Sequence, residues 1–116
     1  MLHLSSSCRY FYYSGIADMR KGAYSLSGLV RNEMGQDVLS GDVFIFIGRR
    51  GNKIKLLQWD AEGFALYEKG LEKGTFERPV VNTGGHFIIT AEQLQYILQG
   101  VVLKSVKHRK RFVKNF

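Results

Sequence analysis

Between residues 40 and 74 the chain reads SGDVFIFIGRRGNKIKLLQWDAEGFALYEKGLEKG, a pattern of three strands joined by two tight turns. Val43, Phe44, Ile45, Phe46 and Ile47 form an unbroken apolar run of β-branched and aromatic residues, as expected of a strand covered on both faces. Gly51-Asn52 is a turn pair with glycine first, the order that a type II′ hairpin prefers. Pairing across it predicts Arg50 opposite Lys53, Gly48 opposite Lys55, Phe46 opposite Leu57 and Phe44 opposite Trp59. Side chains alternate between the two faces of a strand. One face therefore carries Phe44, Phe46, Leu57 and Trp59 below Arg50, Lys53 and Lys55, and the other carries Val43, Ile45, Ile47, Ile54 and Leu56. Asp60 and Gly63 occupy the places a type I turn favours, so a second hairpin follows. The cationic tip of Arg49, Arg50, Lys53 and Lys55 either meets an anion or guards the sheet against aggregation. Like charges directly opposed, as expected at Arg50 and Lys53, cost on the order of a few tenths of a kcal/mol. That small cost leans toward an anionic partner.

The flanking segments complete the domain. Residues 9–13 are aromatic and strand-like, and Ser14-Gly15 ends them. Asp18 is a good N-cap, and Met19, Ala23, Leu26, Leu29, Val30 and Met34 give the apolar stripe of a helix that Gly35 stops. The hairpins continue to about residue 81, with Lys73-Gly74 as a third turn and Pro79 ending an edge; residues 82–85 form a bend and residues 86–89 a short strand. Thr90-Ala-Glu-Gln93 is a capping-box pattern, opening a helix through Leu94, Ile97 and Leu98 to Gly100. This order predicts an α+β domain over residues 1–103: an antiparallel sheet built from a hairpin meander, packed by an N-terminal and a C-terminal helix. Residues 104–116 form a basic tail.

Charge is concentrated. The chain has 17 basic and 10 acidic residues, a net +7, and six of the basic ones (Lys104, Lys107, Arg109, Lys110, Arg111, Lys114) fall in that tail. Removing those six leaves 11 against 10, so the body is nearly neutral. A basic run of this kind is either a phosphate-binding arm or a solvated terminus. The length of 116 residues is enough for one domain that buries roughly two thirds of its unfolded surface. A lone cysteine, Cys8, allows no internal disulfide and fits a reducing cytoplasm, and no apolar run reaches membrane-spanning length.

Catalytic chemistry is hard to find. His3, His86 and His108 are far apart in sequence, and Cys8 has no partner at metal-ligand spacing. Asp42, Asp60 and Glu62 could be imagined as a two-metal nuclease set, but turn chemistry already accounts for Asp60 and Asp42 opens a strand. Neither the dinucleotide nor the phosphate-loop glycine pattern occurs. Trp59, at a strand end, is either core or a stacking platform for a base or a partner side chain. The expectation is a protein that is not an enzyme and uses no cofactor or metal.

The motif order resembles a known family. Asp18-Met19-Arg20-Lys21-Gly22, then Leu26 and Val30, Ser40-Gly41, Phe44-Ile-Phe46, Arg49-Arg50, Lys55, Trp59-Asp60, Gly63-Phe64-Ala-Leu66 and Leu71-Glu72-Lys73-Gly74 with Phe76 are similar to the TnpB-type accessory proteins of bacterial IS66 insertion sequences. The likeness covers residues 9–100. Ala17 stands where the family usually has threonine, Gly48 replaces an asparagine, Gly70 an arginine, and Arg78 a tryptophan. What the resemblance implies is a role in transposition beside a large transposase and a second small element-encoded protein, with no agreed biochemical activity.

Two functions are therefore expected. In the first, the chain is a DNA-binding accessory subunit that holds element ends with little sequence preference. Arg20 and Lys21, Arg49, Arg50, Lys53 and Lys55, and the tail's Lys107, Arg109, Lys110 and Arg111 would contact phosphates. Arg20 and Lys21 at a helix start would oppose its macrodipole, which points to another use for them. About five such contacts give a log–log salt slope near −4 to −5. In the second, the chain is an adaptor that docks on the transposase without touching DNA, with Phe44, Phe46 and Trp59 as contact residues. Asp18 and Asp60 are either partner-binding or structural.

Overall fold

The computed structural model describes residues 4, 5, 7–80 and 87–100. Five strands form one sheet: β1 (Tyr10–Tyr12), β2 (Val43–Ile47), β3 (Lys53–Asp60), β4 (Gly63–Gly70) and β5 (Phe87–Ile89), in the order β4-β3-β2-β1-β5. Helix α1 spans Ala23–Asn32 and α2 spans Ala91–Gln99. The fold is α+β with an N-terminal and a C-terminal helix, as the element order predicts. The sheet is mixed, because β1 runs parallel to β2 while the other pairs are antiparallel. A parallel neighbour needs a crossover of a dozen residues or more. The segment holding α1 supplies it, which makes β1-α1-β2 a crossover unit ahead of the meander.

The apolar run of β2 is buried at all five positions. On one face Phe44, Phe46 and Leu57 pack with Phe11, Tyr13, Leu26, Val30 and Met34, the last three from α1 and its end. On the other, Val43, Ile45, Ile47, Ile54 and Leu56 pack with Tyr10, Tyr12, Phe76, Ile89, Leu94 and Ile97, under α2. Each fully buried side chain of this size stabilises the fold by roughly 1.5–3 kcal/mol. Two helices on opposite faces of one strand explain why it carries no polar residue.

The β2–β3 register differs from expectation. Phe44 stands opposite Leu57 and Phe46 opposite Lys55, two residues from the predicted pairing. The cause is the turn. Gly51 N–H donates to the Gly48 carbonyl at 3.0 Å, and Gly48 N–H donates to the Lys53 carbonyl at 3.1 Å, so the loop holds four residues, Arg49 to Asn52. Arg49 and Arg50 take its two central turn positions and Gly51 takes the left-handed conformation, φ +76°. A slip of two preserves which face each side chain occupies, whereas a slip of one would have inverted it. The two facial sets therefore survive, and Arg50 does not oppose Lys53.

Three further expectations change. Helix α1 begins at Ala23 with Gly22 at its N-cap, five residues after Asp18. Asp18 holds a separate turn: its carboxylate accepts the Arg20 N–H at 2.9 Å, and its carbonyl accepts the Lys21 N–H at 3.0 Å. Arg20 and Lys21 thus precede the helix. The β3–β4 turn places Ala61 at φ +56°, which excludes type I, whose central residues both have negative φ. Residues 71–80 form no strand; they fold back on the β2–β3 turn, where Phe76 N–H donates to the Gly51 carbonyl at 2.7 Å and Leu71 N–H to the Asn52 carbonyl at 2.8 Å.

Helix α2 follows the sequence closely. Thr90 accepts the Gln93 N–H at 3.0 Å, Gln93 Oε1 accepts the Thr90 N–H at 2.8 Å, and Gly100 ends the helix at φ +88°. The expected bend at residues 82–85 and the tail at residues 104–116 lie outside the described residues. Among the described residues no helix is long and apolar enough to cross a membrane.

Candidate nucleic-acid interface

Two turns distant in sequence meet at one end of the sheet. Ala17 and Gly48 form an isolated parallel bridge, which sets the Asp18–Lys21 turn beside the Gly48–Gly51 turn. Met19 seals the contact. A Cβ at Gly48 would lie 2.6 Å from Met19 Cγ, so the absent side chain there lets the methionine approach the backbone. Between the turns lies a cleft of about 520 Å³. Ile16, Ala17 and Met19 give it an apolar floor, and Arg20, Arg49, Arg50 and Lys53 line it with Asp18. Four cations against one carboxylate leave +3.

The charges are not equivalent. Arg20 donates to Asp18 Oδ1 from Nε at 3.0 Å and to Oδ2 from Nη2 at 2.8 Å. That bidentate pair is the chief reason the Asp18 carboxyl titrates well below the ordinary carboxylate range, with the Arg20 N–H adding to it. Asp18 accordingly has a structural role, and Arg20 is largely neutralised by it. Arg49, Arg50 and Lys53 are exposed, and none takes part in an ion pair among the described residues. They carry the unbalanced charge of the cleft.

Arg78, whose role the sequence does not reveal, holds this turn from behind. Its guanidinium donates to the Gly48 carbonyl and reaches the carbonyls of Ile47 at 3.5 Å and Arg49 at 3.4 Å. A cation beside Pro79 in an irregular segment has no pattern that points to these acceptors. A second hollow of about 430 Å³, lined by Thr75, Phe76, Glu77 and Arg78, shares Arg49 and Arg50 with the first. The two arginines thus stand on a ridge between hollows.

Other expected contacts fall away. Lys55 is only 5% exposed; its Nζ donates to the Lys21 carbonyl at 2.8 Å and lies 3.9 Å from Glu68. It ties β3 to the segment before α1 and is not available to a phosphate. Lys21 contributes that carbonyl, and its half-exposed side chain does not line the cleft. Phe44 and Phe46 are 0% exposed and belong to the core, so they are not surface contacts for a partner. Trp59 is half-buried, edge-on to Phe64 at 5.1 Å between ring centroids. Asp60 pairs with Gly63 at the hairpin end, far along β3 from the cleft. Lys107, Arg109, Lys110 and Arg111 lie outside the described residues.

Asp42 is buried, with Oδ1 accepting the Arg9 N–H at 2.8 Å and Oδ2 accepting the Arg9 guanidinium and the Ser40 hydroxyl at 2.8 Å each. Burial opposes its charge, but the Arg9 N–H, the Ser40 hydroxyl and the guanidinium outweigh it, and the carboxyl titrates below its ordinary value. Among the described residues no three His, Cys, Asp or Glu side chains group to hold a metal ion, and Asp42, Asp60 and Glu62 are not such a group.

A family model described as IS66 Orf2 like protein matches residues 8–108. The chain belongs to this family. The IS66 Orf2-like proteins are accessory proteins of insertion sequences, which gives this chain an accessory role in transposition. It is similar to uncharacterized protein y4hO of Sinorhizobium fredii strain NGR234, 35% identical over 101 residues and covering 87% of each chain. It is also similar to uncharacterized protein y4jC of the same strain, 30% identical over 92 residues, 79% of this chain and 78% of that one. No solved structure matches it.

Proposed function

We propose that this IS66 Orf2-like protein binds DNA within a cytoplasmic transposition complex, holding element ends with little sequence preference beside the transposase and a second small element-encoded protein. The observation that carries the proposal is the convergence of Arg49, Arg50 and Lys53 on one cleft, none of them in an ion pair among the described residues. Guanidinium groups suit phosphate oxygens because their N–H donors lie in one plane and bond in pairs. Contacts of this kind to phosphate oxygens position a duplex and carry no sequence information. Affinity then comes from counterion release. Three phosphates neutralised by the cleft give a log–log salt slope of about −3 on duplex, and the tail's Lys107, Arg109, Lys110 and Arg111 steepen it to about −6.

The test compares element-end with random duplex at two salt concentrations, using the chain and an Arg49→Ala/Arg50→Ala variant. The variant is expected to lose affinity on both duplexes and to shallow the slope by about 2. No binding at low salt overturns the proposal. Unchanged DNA retention with lost transposase pull-down assigns the cleft to protein docking instead, the adaptor role.

A further inference from the structure

On the α1 face of the sheet, toward the other end of β3 from the cleft, lies exposed aromatic surface. Tyr24 stands in the first turn of α1, four residues after Arg20, and is 83% exposed. Its ring meets Phe64 at 5.8 Å between centroids with the planes perpendicular, and Phe64 meets Trp59 in the same manner. Alternation along β3 puts Lys53 and Trp59 on one face, six residues and so about 20 Å apart. Between them Lys55 is already engaged by Glu68 and the Lys21 carbonyl, so its charge is not the reason for the strip's polarity. Lys55 and Leu57 between the two ends are covered, so the strip has free cations at one end and aromatic rings at the other, with Tyr24 open on most of its surface.

We infer that this strip takes single-stranded DNA, with phosphates on Arg49, Arg50 and Lys53 and an unpaired base stacked on Tyr24. The inference rests on the DNA-binding reading above and sharpens its substrate. Charge complementarity selects a polyanion. The ring selects among polyanions, because the faces of duplex bases are already covered by their neighbours while a single strand presents both phosphates and free base faces. Stacking on an aromatic side chain is tolerant of base identity, which agrees with binding of little sequence preference.

Trp59 is the one tryptophan of the chain, so its emission reports on this strip alone. The experiment titrates the full chain with a thymidine oligonucleotide of about twelve nucleotides and with a duplex of equal length, reading anisotropy and Trp59 fluorescence. Expected are tighter binding of the single strand, a change of Trp59 emission on single strand but not duplex, and a loss of about 5- to 150-fold in single-strand affinity in Tyr24→Ala, with duplex affinity unchanged. Tyr24→Phe, which keeps the ring, is expected to bind as the unaltered chain does. Equal affinity for both forms, with Tyr24→Ala changing neither and Arg49→Ala/Arg50→Ala weakening both, overturns the strip and leaves duplex binding standing. Failure of both forms to bind at low salt overturns both proposals together.

Discussion

Arg78 shows how a residue can govern a site from outside it. Its guanidinium gathers the carbonyls of Ile47, Gly48 and Arg49, and so fixes the direction in which Arg49 and Arg50 leave the backbone. Hydrogen bonds from a charged donor contribute about 1.5–3 kcal/mol each when well formed. Arg78→Ala is expected to lower stability by about 1–2 kcal/mol, half-exposure reducing the larger figure, and to increase amide exchange at Gly51. DNA affinity should fall with it, and fall less in Arg78→Lys. Unchanged exchange at Gly51 would show that the clamp does not hold the turn. Ala61 is the opposite case, a residue that fits its place poorly. At φ +56° an alanine costs about 1 kcal/mol more than a glycine, so Ala61→Gly should raise the denaturant midpoint by an equivalent of roughly 0.5–1 kcal/mol after the glycine's extra unfolded freedom is offset. Neither residue was legible from its neighbours. Arg78 acts on acceptors that the fold alone brings near, and the aspartate–glycine frame around Ala61 fits more than one turn type.

Elements whose ends are fixed by adjacent side chains were the ones the sequence described well. The α2 helix begins and ends where its capping box and glycine place it, because every bond involved spans a few residues. Thr90→Ala removes one of those bonds and should cost about 1 kcal/mol, read as a drop in thermal midpoint, while Thr90→Ser should keep most of it. The sequence does not place the start of α1, because Asp18 has two possible uses, capping a helix or gripping Arg20, and in the fold it grips the guanidinium two residues on. The β2–β3 register slipped for a related reason. Gly51 serves a two-residue turn or closes a four-residue loop equally well, and what decides is the fold-back of residues 71–80 onto the Gly51 and Asn52 carbonyls. Alternation is immune to that slip, so both buried faces of β2 are legible in the sequence. The parallel partner of β2 was not, since three residues of β1 carry no sign of strand direction.

At the scale of the molecule, charge that looks scattered along the chain converges only in part. The cleft gathers Arg20, Arg49, Arg50 and Lys53, while Lys55 is spent inside the fold and Lys21 stands apart. The crossover that makes this convergence possible is closed near its base by Asp42, which binds the Arg9 backbone and side chain across 33 positions. The Asp42 carboxyl titrates lower in the folded than in the unfolded chain, so its contribution is present above the unfolded value near 3.9 and is lost as pH falls through the lower folded one. Unfolding measured below about pH 4 should therefore steepen with acidity. Asp42→Asn should be destabilised by about 1–3 kcal/mol at neutral pH and lose part of that acid sensitivity. An acid profile identical in the two would remove Asp42 from this role.

The bridge between Ala17 and Gly48 joins points 31 positions apart with one backbone contact, and Met19 against Gly48 is the side-chain contact beside it. A heat-unfolded chain keeps every arginine and lysine yet has no mould to hold them, so it would cling to nucleic acid as a loose polycation does. Recognition in the native protein is thus a property of the way the fold joins the two turns, not of the charges alone.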